Sequence, residues 1–275
     1  MAAGRVTSPG DRGGQGDGDR GDGDRGDGGG PQGSRAGEVP PQLLENHLGG
    51  EEARNYRAYQ HELVSPHCGR SVLEVGAGLG ELAASFTGLE RQVLTDSDPY
   101  CLDRLRRRFQ GRPGVEVMEL SLPGPVQVGD PVESVIAMNV LEHIEDDSGA
   151  LRQLAAAVVP GGRVVLWVPG YPALYGDFDR KVGHVRRYTP ATLRAAVEGA
   201  GLRVELLRPV NLLGGLAWWL AVRVGGTGQT NPRLIRLYDR GVLPLTRLIE
   251  RRVQPPFGQS LLCVARVATE APGSA

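Results

Sequence analysis

The stretch Ser71-Val-Leu-Glu-Val-Gly-Ala-Gly-Leu-Gly80 places three glycines, each separated by one residue, directly after a short apolar run. Such a run is typical of a buried β-strand, and the glycines let the next turn approach a ligand more closely than a β-carbon would permit. With a helix predicted to begin near Glu81, the segment could hold a nucleotide-like ligand at a helix N-terminus. Glycines at this spacing can also serve only to reverse the chain, so a second feature is needed.

An acidic residue follows the next predicted strand, where it could bind the ribose of a nucleotide-like ligand. Asp96 lies 20 residues beyond Gly76, at the end of the next apolar run. A carboxylate in this place can accept hydrogen bonds from both ribose hydroxyls. A dinucleotide-binding turn carries G-x-G-x-x-G, whereas the glycines here fall as G-x-G-x-G after Glu74. The spacing therefore favours a single nucleoside with a short tail over a pyrophosphate.

Short apolar runs alternate with helical segments along the rest of the chain. Nearly continuous apolar runs are typical of strands covered on both faces, so the pattern predicts an α/β protein with a parallel sheet. A first helix is predicted from Glu51 to about His61, and another begins at Asp98-Pro99 and ends at Gly111. The runs are 71–75, 92–95, 115–118, 134–138, 162–168, 203–207 and 260–266.

Composition limits the classes of function. The chain has 275 residues, 40% of them hydrophobic, which is enough for one large domain with a full core. A net charge of −1 and an isoelectric point near 6.5 argue against a general attraction to nucleic acid. Three widely spaced cysteines, together with the lack of a signal-peptide core or a bilayer-length apolar run, predict a cytoplasmic location.

The chain divides into a tail and a domain. Residues 1–38 repeat Gly, Asp and Arg and offer little to bury, so a disordered tail is predicted. Residues 39–270 form the predicted domain, with a helical insertion at 209–257. The insertion carries Trp218-Trp219, many leucines and seven arginines against two acids. It could pack on the sheet, cover a lipid-like acceptor as a lid, contact an anionic membrane peripherally or form a dimer surface.

Four motifs together resemble those of the class I S-adenosylmethionine-dependent methyltransferases. They are Leu73-Glu-Val-Gly-Ala-Gly-Leu-Gly80, Asp96-Ser-Asp-Pro99, Asn139-Val-Leu-Glu-His-Ile144 and Pro160-Gly-Gly-Arg-Val-Val-Leu166. The resemblance implies a Rossmann-like, seven-stranded methyltransferase sheet with helices on both faces and an antiparallel last strand at 260–266. It also implies S-adenosyl-L-methionine as methyl donor and a small-molecule or lipid-linked acceptor.

The same resemblance assigns cofactor contacts. Asp96 would bind the ribose, Ser97 would lie beside the adenine, and Asn139 would face the sulfonium side of the pocket. Ser121 stands where many family members carry an aspartate for the adenine amino group, so the adenine contact would depend on Ser121 and backbone atoms. The methionine end would be lined by Glu74, Gly76, Ala77, Gly78 and Gly80.

Two histidines are candidate general bases. Methyl transfer is an in-line displacement on an activated sulfonium, so a base is needed only when the acceptor must lose a proton. His184, in the polar segment 171–188, is the first candidate and His143 the second, although either could have a structural role. Glu142-His143 resembles a metal-binding pair of some methyltransferases, but Asn139 replaces the acid that precedes the pair there. No metal is therefore expected.

A protein of this fold without turnover is the alternative function. It would be a binding or scaffold protein attached to a membrane or a partner through residues 209–257. The intact glycine turn, followed by Asp96, favours the enzyme because a scaffold has no need to retain the cofactor.

Overall fold

The computed structural model describes residues 53–224 and 232–269. The predicted tail at 1–38 lies outside the described residues. Seven strands form one sheet, and each of the seven apolar runs coincides with a strand. The strands are β1 (Ser71–Val75), β2 (Arg91–Asp96), β3 (Val115–Glu119), β4 (Val132–Met138), β5 (Val158–Pro169), β6 (Arg203–Val210) and β7 (Ser260–Arg266).

The strand order of the sheet is β3-β2-β1-β4-β5-β7-β6. Strands β1 to β5 pair in parallel, and β7 lies antiparallel between β5 and β6. The predicted fold class, with its antiparallel last strand, is confirmed. The chain reverses its direction of travel across the sheet at β1 and β4, and the carboxyl ends of strands at such a switch point form a ligand-binding crevice.

Helices cover both faces of the sheet. The strands alternate their side chains between two apolar clusters, so that Leu73 lies in one cluster and Val72 in the other. None of the described helices is both long enough and apolar enough to cross a bilayer. The helices are α1 (Arg54–Val64), α2 (Pro99–Arg108), α3 (Asp147–Ala156), α4 (Asp177–Val182), α5 (Pro190–Gly199), α6 (Leu212–Val224), α7 (Pro232–Leu237) and α8 (Leu243–Glu250), with a π-helical turn at Tyr238–Val242 between α7 and α8.

Two helix predictions need correction. The helix predicted to begin near Glu81 is not formed, because Ala83–Ser85 makes only a single 3₁₀ turn. Gly80 at φ +71° and Gly88 at φ +75° flank this turn, and both backbone conformations lie outside the right-handed helical region. Helix α1 ends at Val64, three residues beyond the predicted end at His61.

Candidate cofactor and acceptor site

The glycine turn that follows β1 can accept no side chain at its first position. Gly76 has φ +66°, and a β-carbon there would lie 2.7 Å from Cγ2 of Val140. The amide of Ala77 donates to the carbonyl of Thr95 at 2.8 Å, so the turn stays attached to the end of β2. The turn is therefore held against β2 and Val140, and its Gly76 and Ala77 line a cavity on the other side.

Glu74 brings a buried carboxyl group to this turn. Its side chain is 3% exposed, and Oε2 accepts no hydrogen bond from any of the described residues. Burial, aided by the negative charge of Asp96, raises the pKa of Glu74 to about 8. A bound cation would satisfy this oxygen and favour the ionised form.

Asp96 is positioned by two backbone amides. Its Oδ2 accepts the amide of Gly78 at 2.8 Å, and its Oδ1 accepts the amide of Asp98 at 3.0 Å. Burial raises the pKa of Asp96, although these backbone hydrogen bonds oppose the shift. Each carboxylate oxygen has a further lone pair, so both can also accept a ligand hydroxyl.

A cavity lies between the glycine turn, the end of β4 and helix α1. The sequence predicted its contributions from Glu74, Gly76, Ala77 and Asn139. It missed the wall made by α1, although the spacing of Tyr56, Arg57 and Gln60 is that of one helical face. Arg57 also forms an ion pair with Glu81 at 3.0 Å. The full lining is Tyr56, Arg57, Gln60, Glu74, Gly76, Ala77, Leu79, Glu81, Leu82, Met138 and Asn139.

The remaining predicted cofactor residues differ in position. Asn139 lines the cavity in a left-handed conformation, with φ +52°, and its amide donates to the carbonyl of Trp167 at 2.7 Å. Gly78, Gly80 and Asp96 do not line this cavity. Ser97 and Ser121 are exposed and do not line it either. Their contacts with adenine stay predictions.

A second polar group surrounds the fully buried carboxylate of Asp179 on α4. Nδ1 of His184 lies 2.8 Å from Oδ1 of Asp179, and Arg187 donates to both oxygens at 2.7 and 3.1 Å. Burial alone would raise the pKa of Asp179, but the hydrogen bond from His184 and the charge of Arg187 outweigh it and lower that pKa. Asp179 is therefore an ionised acceptor.

Of the two candidate bases, His184 contacts this carboxylate, and His143 contacts the ring of His184. The rings of His143 and His184 meet edge to face, with their centroids 4.7 Å apart. His184 is 3% exposed, and its Nε2 lies 3.9 Å from Oε1 of the fully buried Glu142. His143 is only partly buried, and its Nδ1 lies 3.3 Å from the carbonyl of Gly183. The structure thus brings the two histidines together, and their role as bases stays a prediction.

The helical insertion contacts this same segment. The indole of Trp218 on α6 donates to the carbonyl of Leu174 at 3.1 Å. Its ring packs edge to face on Phe178 at 5.3 Å, and the guanidinium of Arg187 lies 5.6 Å from it. The insertion is therefore attached to the polar segment 171–188.

A sheet of this strand order, with a glycine turn after β1 and an acid at the end of β2, defines the fold of the class I methyltransferases. A sequence model of the methyltransferase domain matches residues 49–207. The chain belongs to the class I S-adenosylmethionine-dependent methyltransferase family.

Several known proteins that resemble the chain are named as methyltransferases. A ubiquinone biosynthesis O-methyltransferase of Methylobacterium nodulans is 29% identical over 173 residues, covering 53% of this chain and 69% of the relative. A probable S-adenosylmethionine-dependent methyltransferase of Mycobacterium tuberculosis is 28% identical, covering 54% and 57%. The solved complex of the trans-methyltransferase CalH with SAH has a TM-score of 0.52 at 21% identity, covering 82% of this chain and 59% of that one. The chain spans about half the length of most curated relatives it matches.

Proposed function

We propose that the protein transfers a methyl group from S-adenosylmethionine to a small-molecule or lipid-linked acceptor. The observation that carries the proposal is the buried carboxyl of Glu74, a residue that lines the cavity and whose Oε2 accepts no hydrogen bond from the described residues. The ammonium group of the cofactor's methionine end would supply the cation that this oxygen suits. S-Adenosylmethionine supplies an activated methyl group, so the protein's main task is to hold donor and acceptor in line.

The proposed cofactor contacts follow the order of the strands. Glu74 and the backbone of Gly76 to Gly80 would hold the methionine end, and Asp96 would accept the ribose hydroxyls. Asn139, at the end of β4, would face the sulfonium. Support comes from the family match and from CalH, a fold neighbour solved with SAH.

The acceptor would lie toward His143, which follows Asn139 by four residues and is partly exposed. We assign the general-base role to the pair of His143 and His184 for acceptors that must lose a proton. The relative named as an O-methyltransferase of ubiquinone biosynthesis supports a hydroxyl on an apolar acceptor.

The second part of the proposal is a peripheral contact of the insertion with an anionic membrane. It is favoured because the two acidic side chains of the insertion point inward and leave its basic residues outside. Asp239 is buried and accepts the amides of Asn55 at 3.2 Å and Tyr56 at 2.9 Å. Glu250 accepts the amide of Leu212 at 2.8 Å and the hydroxyl of Tyr59. Both acids of the insertion therefore serve internal contacts.

Among the described residues of the insertion, most exposed side chains are apolar or basic. Leu237 is 67% exposed and Val253 is 59% exposed. A groove around Leu237 is lined by Arg233, Arg236 and Arg240. Exposed leucines beside arginines are typical of surfaces that enter the headgroup region of anionic bilayers, where each arginine contributes about 1 kcal/mol. Other exposed apolar residues here are Leu216, Trp219, Leu220, Leu245, Leu248 and Phe257.

Two measurements test the proposal. Calorimetry with S-adenosylmethionine and SAH should show one binding site, with Glu74→Gln and Asp96→Ala binding more weakly. Incubating the purified protein with cell extract and cofactor labelled on the methyl group should then place label in an aqueous or a lipid fraction. Cofactor binding without any labelled product would favour a scaffold, and a chain that binds no cofactor would contradict the enzyme outright.

A further inference from the structure

Helix α1, which forms one wall of the cofactor cavity, takes its N-terminal cap from the insertion. The first amides of a helix have no partner within it, and the side chain of Ala53 at the N-cap position cannot accept a hydrogen bond. Asp239 of the π-helical turn supplies the acceptors: Oδ2 accepts the amide of Asn55 at 3.2 Å, and Oδ1 accepts the amide of Tyr56 at 2.9 Å. Asn55 is capped in this way from 184 positions further along the chain.

The middle of α1 is attached to the insertion as well. The hydroxyl of Tyr59 accepts the amide of Asn211 at 3.0 Å and donates to Oε2 of Glu250, at the end of α8. Burial, aided by the charge of Glu250, raises the pKa of Tyr59, so the hydroxyl keeps the proton that it donates. The other oxygen of Glu250 accepts the amide of Leu212, where α6 begins, at 2.8 Å. Glu250 therefore joins α1 to the first and the last helix of the insertion.

An ion pair attaches the last turn of α1. Glu62 accepts from Arg247 and, at 2.8 Å, from Arg251. Ion pairs at exposed positions contribute little to stability, whereas Asp239 is only 3% exposed and its hydrogen bonds are protected from water. We therefore expect the cap by Asp239 to be the strongest determinant of where the first turn of α1 lies.

The cavity depends on the position of that turn. Tyr56 belongs to both arrangements, because its amide is held by Asp239 and the residue lines the cavity. Arg57 and Gln60, further along α1, line the cavity too, whereas neither Asp239 nor Glu250 does. A displaced first turn would change the shape of the cavity without the loss of any lining residue.

We propose that Asp239 is a positioning residue of the donor site, which holds α1 as the wall of the cavity and couples S-adenosylmethionine binding to the insertion. The inference depends on the proposed function, in which this cavity binds the methyl donor. Coupling between two sites is reciprocal. Cofactor binding should therefore also stabilise the attachment of the insertion to α1.

Calorimetry with S-adenosylmethionine tests the first half of the coupling. Asp239→Ala should weaken binding by about fivefold or more, the lower end of typical coupling between sites. Asp239→Asn keeps one acceptor oxygen and should lose less affinity. The matched control is Asp146→Ala, since Asp146 caps α3 through the amide of Gly149 at 2.8 Å and does not line the cavity. The control should lower the melting temperature and bind the cofactor like the wild type.

Hydrogen exchange tests the reciprocal half on the wild-type chain. Saturating S-adenosylmethionine should slow exchange of the backbone amides of residues 238–250 by about fivefold or more, although the cofactor does not contact them. This slowing should be absent in Asp239→Ala. A purely structural role of Asp239 would lower stability but would not remove the response to cofactor.

Two results would overturn the inference alone: folded Asp239→Ala protein with wild-type cofactor affinity, or wild-type protein that binds cofactor while exchange at 238–250 stays unchanged. The second result keeps the test decisive even if Asp239→Ala does not fold. Wild-type protein that binds no S-adenosylmethionine would contradict the proposed function and this inference together.

Discussion

The backbone amide of Gly78 donates a hydrogen bond to Oδ2 of Asp96 at 2.8 Å, joining the glycine turn after β1 to the acid at the end of β2. The two motifs lie 18 residues apart in the chain, and this bond makes them one unit. The proposed ribose contact and the shape of the turn therefore depend on the same carboxylate.

We expect Asp96→Ala to weaken S-adenosylmethionine binding by about 1–3 kcal/mol, because ribose hydroxyls lose charge-assisted acceptors in a partly dry pocket. Calorimetry measures the loss, and circular dichroism checks the fold. Asp103→Ala, an exposed acid on α2, serves as the control and should bind normally. Unchanged affinity in folded Asp96→Ala protein would remove the ribose role.

The raised pKa of Glu74 should make the stability of the folded protein depend on pH. Its pKa is about 8 in the folded protein, above its ordinary value of 4.5, so the folded state holds this proton more tightly than the unfolded state. The contribution to stability is complete below pH 4.5 and is lost as the pH rises through about 8. Without cofactor, Glu74→Gln should therefore gain in melting temperature relative to wild type between about pH 5 and pH 9.

The control for this comparison is Glu119→Gln, at an exposed position on β3. Bound S-adenosylmethionine should reduce the gain of Glu74→Gln at high pH, because its ammonium stabilises the ionised carboxylate. A melting difference that stays constant with pH would show that Glu74 does not titrate in this range.

Gly76→Ala should disrupt the cofactor site. A β-carbon there would lie 2.7 Å from Val140 at a positive φ, a combination that costs roughly 1–3 kcal/mol. We expect S-adenosylmethionine affinity to fall by about tenfold or more, with a lower melting temperature. Gly241→Ala is the matched control, since its β-carbon would meet nothing within 4 Å. Normal affinity in Gly76→Ala would mean that the turn adapts.

The two histidines differ in what their substitution should do. His143 is partly exposed, so His143→Ala should remain folded, whereas His184→Ala leaves the buried Asp179 without one of its donors and should lower stability. If the pair acts as general base, either change slows methyl transfer by about a hundredfold or more at unchanged S-adenosylmethionine affinity. Near-normal turnover in His143→Ala would contradict the general-base role and would mean that the methyl-transfer rate depends on how donor and acceptor are positioned.

The membrane contact is testable with vesicles that contain anionic lipid. We expect cosedimentation and a blue shift of tryptophan fluorescence at low salt, both weakened at physiological salt. Leu237→Asp and Arg240→Glu should reduce binding, whereas Arg152→Glu, an exposed arginine on α3, should bind nearly as well as wild type. Trp167 is fully buried in β5 and should contribute no shift. Absence of cosedimentation at low salt would contradict the membrane contact, and the exposed apolar surface of the insertion would then need a different partner.

Much of the fold could be predicted from local patterns. Most of the strands could be predicted because buried strands are nearly continuous apolar runs. The turn from Gly76 to Gly80 became informative only together with Asp96 at the end of the next run. The missing helix near Glu81 was not predictable, since the apolar residues there pack without completing a helix. The contribution of helix α1 to the cavity could not be predicted either, because it depends on how the helix packs against the rest of the domain.

The polar group around Asp179 shows the same limit. The sequence offers His184 and His143 as candidate bases, but their ring contact at 4.7 Å joins segments 41 positions apart. No local spacing encodes such a contact. A sequence can suggest which residues are chemically capable, while their partners depend on how the loops after β4 and β5 come together.

Asp239 has a consequence for protein engineering. Its carboxylate holds the first turn of α1, the helix that lines the cofactor cavity, although the two lie more than 180 positions apart. A chimera that imports a foreign insertion would therefore also disturb the donor pocket. We therefore expect an exchange of the insertion between relatives to preserve the pocket only when residues 54–64 and 209–257 are transplanted as a matched pair.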